Sequence, residues 1–407
     1  MSCPTGCTSS RAAESCAPAI GLLRSSWRRR AMAGSTPDEA AVARRLLQTG
    51  PNDYAPWFDR NACTAVIADQ GLPAIRSEAW KYTNVGRWYE TVLEATRPVH
   101  RETVVESPEE VDVRDFSDTR AADLFGPQAT FDLTRYPLAA VNGLLLGAGL
   151  AIRVPAGCQA SQTVRISHLP SAYQHCLVSV EAGAAVELVE EPSPYTHRIV
   201  EAVVHEGAVL RHRRRQAGAS TRECSLVAVN VATGGRYELS QLSLGADLRR
   251  NDILVTLAGD GAETALQSAW RVDGRAHLDN QVAVEHTLPG GTSRQTYRGV
   301  AAGRARAVLN GRIHIAPGAQ HSDATLSTKN LLADATAEVY AKPELTIFAN
   351  DVKCSHGATV GAMDEDAVHY FRSRGIDEDR ARGLFVRGFL REAIDDLAVA
   401  ETLGVVV

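Results

Sequence analysis

The sequence predicts a mainly β protein, a parallel β-helix core with helical regions at both ends. Three observations carry this expectation. Between about residue 140 and residue 348, apolar positions alternate with polar neighbours, the two-residue period of a strand, as in Val164/Ile166, Ile253/Val255/Leu257 and Ile313/Ile315. Glycines such as Gly207, Gly234, Gly259, Gly274, Gly290 and Gly311 punctuate the stretch, and no helix of ordinary length fits between them. Finally, roughly 200 residues of strand are too many for a comfortable sandwich or barrel, whereas a β-helix adds coils without a limit set by one core. Exact repeats are not visible.

In chain order, residues 1–34 form an extension with five arginines against Glu14, a net +4 in a chain whose total is −5. They lack a secretory apolar region. Their composition suits an organelle transit peptide or, preferably, an over-extended start with initiation at Met32. Residues 35–137 are read as an N-terminal helical region. Thr36-Pro37-Asp38-Glu39 is a capping box with proline at the first helical position, and the helix it opens runs to Gly50. A second helix fits Ala55 to Gln70, with Trp57, Phe58, Val66 and Ile67 on its buried face. Residues 138–362 are the β-helix core. Residues 363–407 form a C-terminal helical domain in which Asp364 caps a helix stopping at Gly375 and Asp377 caps another through Leu397. In the last helix Ala381, Phe385, Phe389, Ala393 and Leu397 make an apolar stripe, while Arg380, Arg382, Arg387 and Arg391 sit mostly elsewhere. Taken alone, the stripe favours packing on the parent domain over partner docking.

Composition removes several classes. A pI near 6.2 argues against a dedicated nucleic-acid binder. A mean hydropathy of −0.15 argues against a polytopic membrane protein, and the most apolar stretch, Leu138 to Ile152, is too short for a bilayer span. The eight cysteines contain no C-x-x-C pair and read as reduced thiols in a cytosolic chain. The run Arg211-His212-Arg213-Arg214-Arg215 is read as a solvated strand face or a subunit salt-bridge surface rather than a nucleic-acid patch.

Catalytic signatures are missing. No phosphate-binding G-x-x-x-x-G-K-[ST], H-E-x-x-H or G-x-S-x-G occurs, and Gly147-Ala148-Gly149 lacks the third glycine of a dinucleotide fingerprint. The chain is therefore read as no enzyme on its own. One segment stands apart: Cys354 and His356 are two residues apart, so on a strand they share a face. Thiolate and imidazole form a mixed soft pair suited to iron, copper or zinc. Two ligands do not close a tetrahedral site, so the remainder must come from elsewhere, such as another chain. Lys353 is placed to lower the Cys354 thiol pKa. A buried cysteine beside a hydrogen-bonded histidine is the competing reading.

The run Asp351-Val352-Lys353-Cys354-Ser355-His356-Gly357-Ala358-Thr359-Val360-Gly361 resembles the signature of the SufD branch of the SufB/SufD family of iron–sulfur cluster assembly subunits. Supporting similarities are Glu78-Ala79-Trp80-Lys81-Tyr82-Thr83, Ser293 to Gly299, Asn310-Gly311-Arg312-Ile313, Asn330-Leu331-Leu332 before Lys342-Pro343-Glu344-Leu345, and Tyr370 to Ile376. Together they cover about residues 36–400. The family commonly has Asp where this chain has Asn350.

The resemblance implies a right-handed parallel β-helix and a non-catalytic scaffold subunit of a SufBCD complex. The chain would pair through its β-helix with the SufB paralogue and dock the SufC ATPase through its C-terminal helices. It would share a nascent iron–sulfur cluster or iron with SufB and bind no nucleotide, nucleic acid or membrane. Cys354 and His356 match the cluster-interface positions, with Asp351 and Lys353 as motif support. The helix from Asp377, carrying Arg380, Phe385, Phe389 and Arg391, matches the ATPase-docking region and reverses the preference for bland packing there. The implied location is the cytoplasm, or the plastid stroma if residues 1–34 are a transit peptide. A polysaccharide-acting β-helix enzyme and a purely structural β-solenoid are the alternatives. The first lacks a signal peptide and clustered carboxylates, and the second leaves Cys354-Ser355-His356 unexplained.

Overall fold

The computed structural model describes residues 39–48, 59–74, 77–94, 103–121, 130–169, 171–218 and 221–394. The extension at residues 1–34, most of the Thr36 capping box, Trp57 and Phe58 lie outside these residues. The N-terminal region holds helices α1 (Glu39–Leu47), α2 (Arg60–Gln70) and α3 (Gly86–Glu94), with 3₁₀ turns at Glu78–Trp80 and Leu133–Arg135. Helix α2 starts later than predicted because the Asp59 carboxylate accepts a hydrogen bond from the Ala62 N–H, an N-cap that ends the helix there. The same region, expected to be helical, also contains two short strands, β1 (Val104–Glu106) and β2 (Asp112–Asp115). A further helix, α4 (Pro137–Leu145), occupies what was read as the start of the β core. Pro137 opens it and seven of its nine residues are buried, so the first part of the apolar run from Leu138 is a helix enclosed on nearly all sides.

Sixteen strands follow, from β3 (Ala148–Val154) to β18 (Lys353–Ala362), and they form a flattened parallel solenoid. Even-numbered strands stack into one nine-stranded sheet in the order β1-β4-β6-β8-β10-β12-β14-β16-β18. Odd-numbered strands stack into the other, from β17 back to β3 and β2. Every pairing between β3 and β18 is parallel. Among the described residues only β1 on β4 and β2 on β3 are antiparallel, at the N-terminal end. The hidden repeat has a simple cause. Tyr173 pairs with His197, 24 residues on, whereas Arg306 pairs with Glu338, 32 residues on, because the turns between strands vary in length. Apart from a shift between Gln159 and Thr163 on β4, the register within each parallel pair stays constant while the chain period drifts.

Alternate side chains fill the interior. Val200, Val227, Ile253 and Val282 stack in register from coil to coil on one sheet, and Leu188, Leu239, Leu266 and Leu326 line the other. The outer face of the odd sheet is covered in its N-terminal half. Tyr173, Cys224 and Leu248 pack under α1–α4, and Ile199, Leu226 and Ala228 pack under Ala139. This double covering explains why β5 (Tyr173–Val180) and β7 (His197–Val204) are buried along their whole length. On the even sheet, Leu242, Ala269 and Val300 are covered by helices α5 (Glu365–Ser373) and α6 (Glu378–Arg391).

The basic run corrects the sequence reading. On β8 (Val209–Gln216), Arg211 and Arg213 point outward to Glu238 and Glu187 as expected. His212 and Arg214 point into the solenoid and bind the buried Glu190 carboxylate, each at 2.7 Å. A two-residue period places alternate members of a charged run on opposite faces, and here the inner face is the core.

The turns are stacked tightly enough to test. A Cβ on Gly259 would lie 1.9 Å from the Thr233 nitrogen, a backbone atom that cannot swing away. Gly261 has a φ of +62° but open space around it. Gly259→Ala is therefore expected to cost about 3 kcal/mol, the upper part of the overpacking range, and Gly261→Ala about 1 kcal/mol from backbone strain alone. Urea titration of the two variants checks the order. Equal losses would contradict the stacking argument.

Candidate functional site

Cys354 and His356 lie on β18, which among the described residues has one neighbour, β16 (Asp323–Leu332), and an open opposite edge. Their register partners are Ala324 and Leu326, both core residues, so both side chains face the interior at the last, uncovered coil. The sequence expectation of a shared face holds. Cys354 is half-buried against the end of the core, and His356 is exposed.

Lys353 does not tune the thiol as expected. It faces the other way, in register with Asp323. Burial pushes the Cys354 thiol pKa up, and the Asp323 charge adds to the rise. A metal ion, rather than Lys353, would have to favour the thiolate. Asp351 belongs to the turn. Its carbonyl accepts from the His321 N–H at 2.6 Å, its own N–H donates to Gln320, and its carboxylate pairs with the His321 ring at 2.9 Å. Among the described residues, no group of three or more His, Cys, Asp or Glu side chains is arranged to hold a metal ion. The chain thus offers two candidate ligands at an open end.

That end is built for pairing. The Lys353 N–H bonds back to the Ser322 carbonyl, so in a parallel ladder Cys354, His356, Ala358 and Val360 turn their own N–H and C=O groups to the open side. The strand is ten residues long and exposed along almost all of it. Its only charged side chain is Lys353. The companion edge, β17 (Glu338–Ile347), is different. Glu338 and Phe348 bond back to the preceding coil, so odd-numbered residues face outward, and one of these is Pro343, which has no N–H to offer. Apolar surface also collects at this end: Ile347, Phe348 and Val360 are 39%, 59% and 44% exposed. At the opposite end of the solenoid the edge strands are the short β1 and β2, three and four residues long.

The Glu78–Thr83 motif has a structural task. Trp80 lies under the Arg250 guanidinium at 3.8 Å, and the Arg250 side chain donates to the Ala79 carbonyl. Tyr82 stacks on Tyr340 of β17 at 4.9 Å, the Thr83 hydroxyl donates to Asp279, and Glu78 pairs with Lys342 at 3.3 Å. The N-terminal segment therefore clamps β17 in place from outside. Nothing in the spacing of the motif announced that its contacts lie more than 160 residues away.

At the C-terminus, Asp364 and Asp377 cap α5 and α6 as expected. Helix α6 ends at Arg391 instead of Leu397. Glu392 follows it and is tied to Arg298 and Lys329 on the solenoid. Residues 395–397 lie outside the described residues. The buried seam is Ala381, Val386 and Leu390, continued by Ala393 and Ile394, rotated from the predicted stripe. Phe385 and Phe389 are half-buried against that cluster, and Arg380 and Arg391 are exposed. Packing on the parent domain accounts for the seam, leaving the outer face of the helix open for other contacts.

A family model described as SUF system FeS cluster assembly, SufBD core domain, matches residues 163–389, from β4 (Gln159–His168) into α6. The chain is 30% identical over 243 residues to the iron–sulfur cluster assembly SufBD family protein slr0076 of Synechocystis, covering 56% of this chain and 54% of that one. It is 30% identical over 278 residues to the chloroplastic protein ABCI7 of Arabidopsis thaliana, covering 63% and 58%. It is 35% identical over 154 residues to the iron–sulfur cluster assembly protein SufD of Escherichia coli, covering 38% and 36%. The matches to the first two span little more than half of each relative's length. Among the described residues, no helix is long and apolar enough to cross a membrane.

Proposed function

The chain belongs to the SufBD family, and we propose that it is a non-catalytic scaffold subunit for iron–sulfur cluster assembly. The observation that carries this reading is the open β18 edge with Cys354 and His356 on its inward face. A second β-helix adding a strand to that edge would bury the exposed apolar residues and bring its own donors to the same place. The natural partner is a SufB-type paralogue. The nascent cluster, or its iron, is then the cargo, held between the two chains with His356 and Cys354 as this chain's contribution. Thiolate and imidazole suit iron, and the half-buried position gives the thiol a pKa that metal binding would lower.

The test is anaerobic co-purification with SufB-type and SufC-type partners, followed by iron and sulfide analysis. His356→Ala is expected to reduce iron per complex by about tenfold or more without loss of the subunits. Undiminished iron would remove His356 from the site. Cys354→Ala, measured alongside, separates the two ligands.

The outer face of α6 is the proposed ATPase-subunit dock, with Arg380 and Arg391 as its charged ends and the exposed parts of Phe385 and Phe389 between them. Its seam is spent on the solenoid, so deletion of the helix would expose Leu242, Ala269 and Val300 and confuse docking with folding. Charge reversal is cleaner. An Arg380→Glu, Arg391→Glu double variant is expected to weaken capture of the SufC-type subunit by about tenfold or more while leaving the melting temperature unchanged. Wild-type capture would place the dock elsewhere.

A further inference from the structure

We propose that the solenoid interior holds a small monovalent anion, of halide size, beside Arg198. The inference goes beyond cluster assembly and rests on a charge imbalance. Glu190, Arg198, Arg214, Glu223 and Arg249 sit together in the N-terminal half of the solenoid, and none is more than 3% exposed. Among these buried groups three guanidiniums face two carboxylates; Glu191 and Arg215, which also line the cavity, are partly exposed and lie 3.8 Å from each other. His212, which donates to Glu190, adds no compensation, because burial holds it toward its neutral form.

The Glu190 carboxylate is engaged through both oxygens. One Glu190 oxygen accepts from Arg214 Nε and His212 Nε2, each at 2.7 Å, and the other accepts from Arg198 Nη1 at 2.9 Å. Glu223 accepts from Arg249 Nε at 3.0 Å. Arg198 Nε is used by Gln174. This leaves Arg198 Nη2 buried with no acceptor among the described residues, and Arg249 Nη2 in the same condition. Arg198 lines a cavity with about 10 Å³ open to the centre of a water-sized particle, together with Arg214, Tyr195, Gln216 and Glu223. The Tyr195 hydroxyl accepts from Gln216, which leaves its own proton as a further donor. The cavity reaches the turn at Glu191–Ser193, which supplies a way in.

A water molecule would satisfy the orphan N–H group but leave the surplus positive charge unbalanced in a low-dielectric interior. A halide-sized anion does both. Sulfate or phosphate is too large for the space, and a divalent cation would meet the guanidinium charge.

The full chain is melted in sodium chloride replacing sodium gluconate at constant ionic strength. A single site binding only the folded form predicts a melting temperature that climbs by about 2–4 °C between 1 and 100 mM chloride. Arg198→Gln, which removes the surplus charge, is expected to flatten that dependence. Crystals grown with bromide are expected to show an anomalous peak about 3.5 Å from Arg198 Nη2. An absent peak, or an equal chloride dependence in Arg198→Gln, overturns the proposal. So does a peak seen only near 1 M bromide with a flat melting curve, which marks an adventitious ion only. If Arg198→Gln does not fold, the anomalous map of the wild-type chain decides.

Discussion

Ala358→Pro is expected to abolish pairing with a SufB-type partner while leaving the isolated chain folded. Ala358 lies in the middle of β18, exposed, and its N–H points to the open side rather than to β16. Proline there removes no hydrogen bond from the chain itself. It does remove a donor from the edge and sets a ring where an added strand would lie. A loss of about 3 kcal/mol at the interface corresponds to a partner affinity more than 100-fold weaker. Pro343 on β17 shows that this solenoid tolerates an outward-facing proline on an edge strand. Co-purification and the melting temperature of the free chain measure the two halves of the prediction. A complex that survives Ala358→Pro at wild-type stoichiometry would move the interface away from β18. A variant that loses pairing only because it melts early would be recognised in the second measurement, and Ala358→Ser, which keeps the N–H, should restore pairing.

Acidification should destabilise the chain well before its carboxylates titrate. Burial pushes the pKa of His197 down to about 3, and those of His277 and His286 down to about 4. All three are neutral in the folded state, while in the unfolded chain each titrates near 6.5. Between pH 6.5 and about 4 the unfolded state therefore binds up to three more protons. The linked stability is fully present above pH 6.5 and falls as the pH drops through that window. The three groups together are worth on the order of 5 kcal/mol between pH 6.5 and pH 5. Below that, the loss continues through Glu190 and Glu201, whose carboxyls lie below the usual range in the fold; burial opposes that lowering, and it is outweighed by Arg214, Arg198 and His212 for Glu190 and by His175 and Thr130 for Glu201. Urea titrations at pH 7.5, 6.0 and 5.0 read the slope. A midpoint constant across that range would mean that the histidines are solvated in the fold. Replacing His286, whose ring bonds to Ser293 at 2.9 Å, with glutamine should remove about a third of the pH dependence.

The placement of the two candidate ligands was legible because its signal is local. Cys354 and His356 needed only the two-residue period to be placed on one face, and β18 put them there. The role assigned to Lys353 failed for the same reason: neighbours in a strand point apart, so adjacency in sequence is separation in space. The α6 seam was misplaced by one position because spacings of four drift around a helix of 3.6 residues per turn, and Val386 and Leu390 took the buried line instead of Phe385 and Phe389.

What the sequence determined by itself is the alternation that makes strands, the glycines that turn them, the aspartates that cap the last two helices, and the pair of metal-capable side chains. Each depends on contacts within a few residues. The tertiary structure alone decided which strand edge stays open, which members of a basic run enter the core beside Glu190, and why Trp80, Tyr82 and Thr83 matter. Those outcomes depend on coil-to-coil register, and the register is set by turn lengths that range from one coil to the next. A charge or an aromatic ring acquires its partner only when chain segments 24 to more than 200 residues apart are brought to the spacing of adjacent strands.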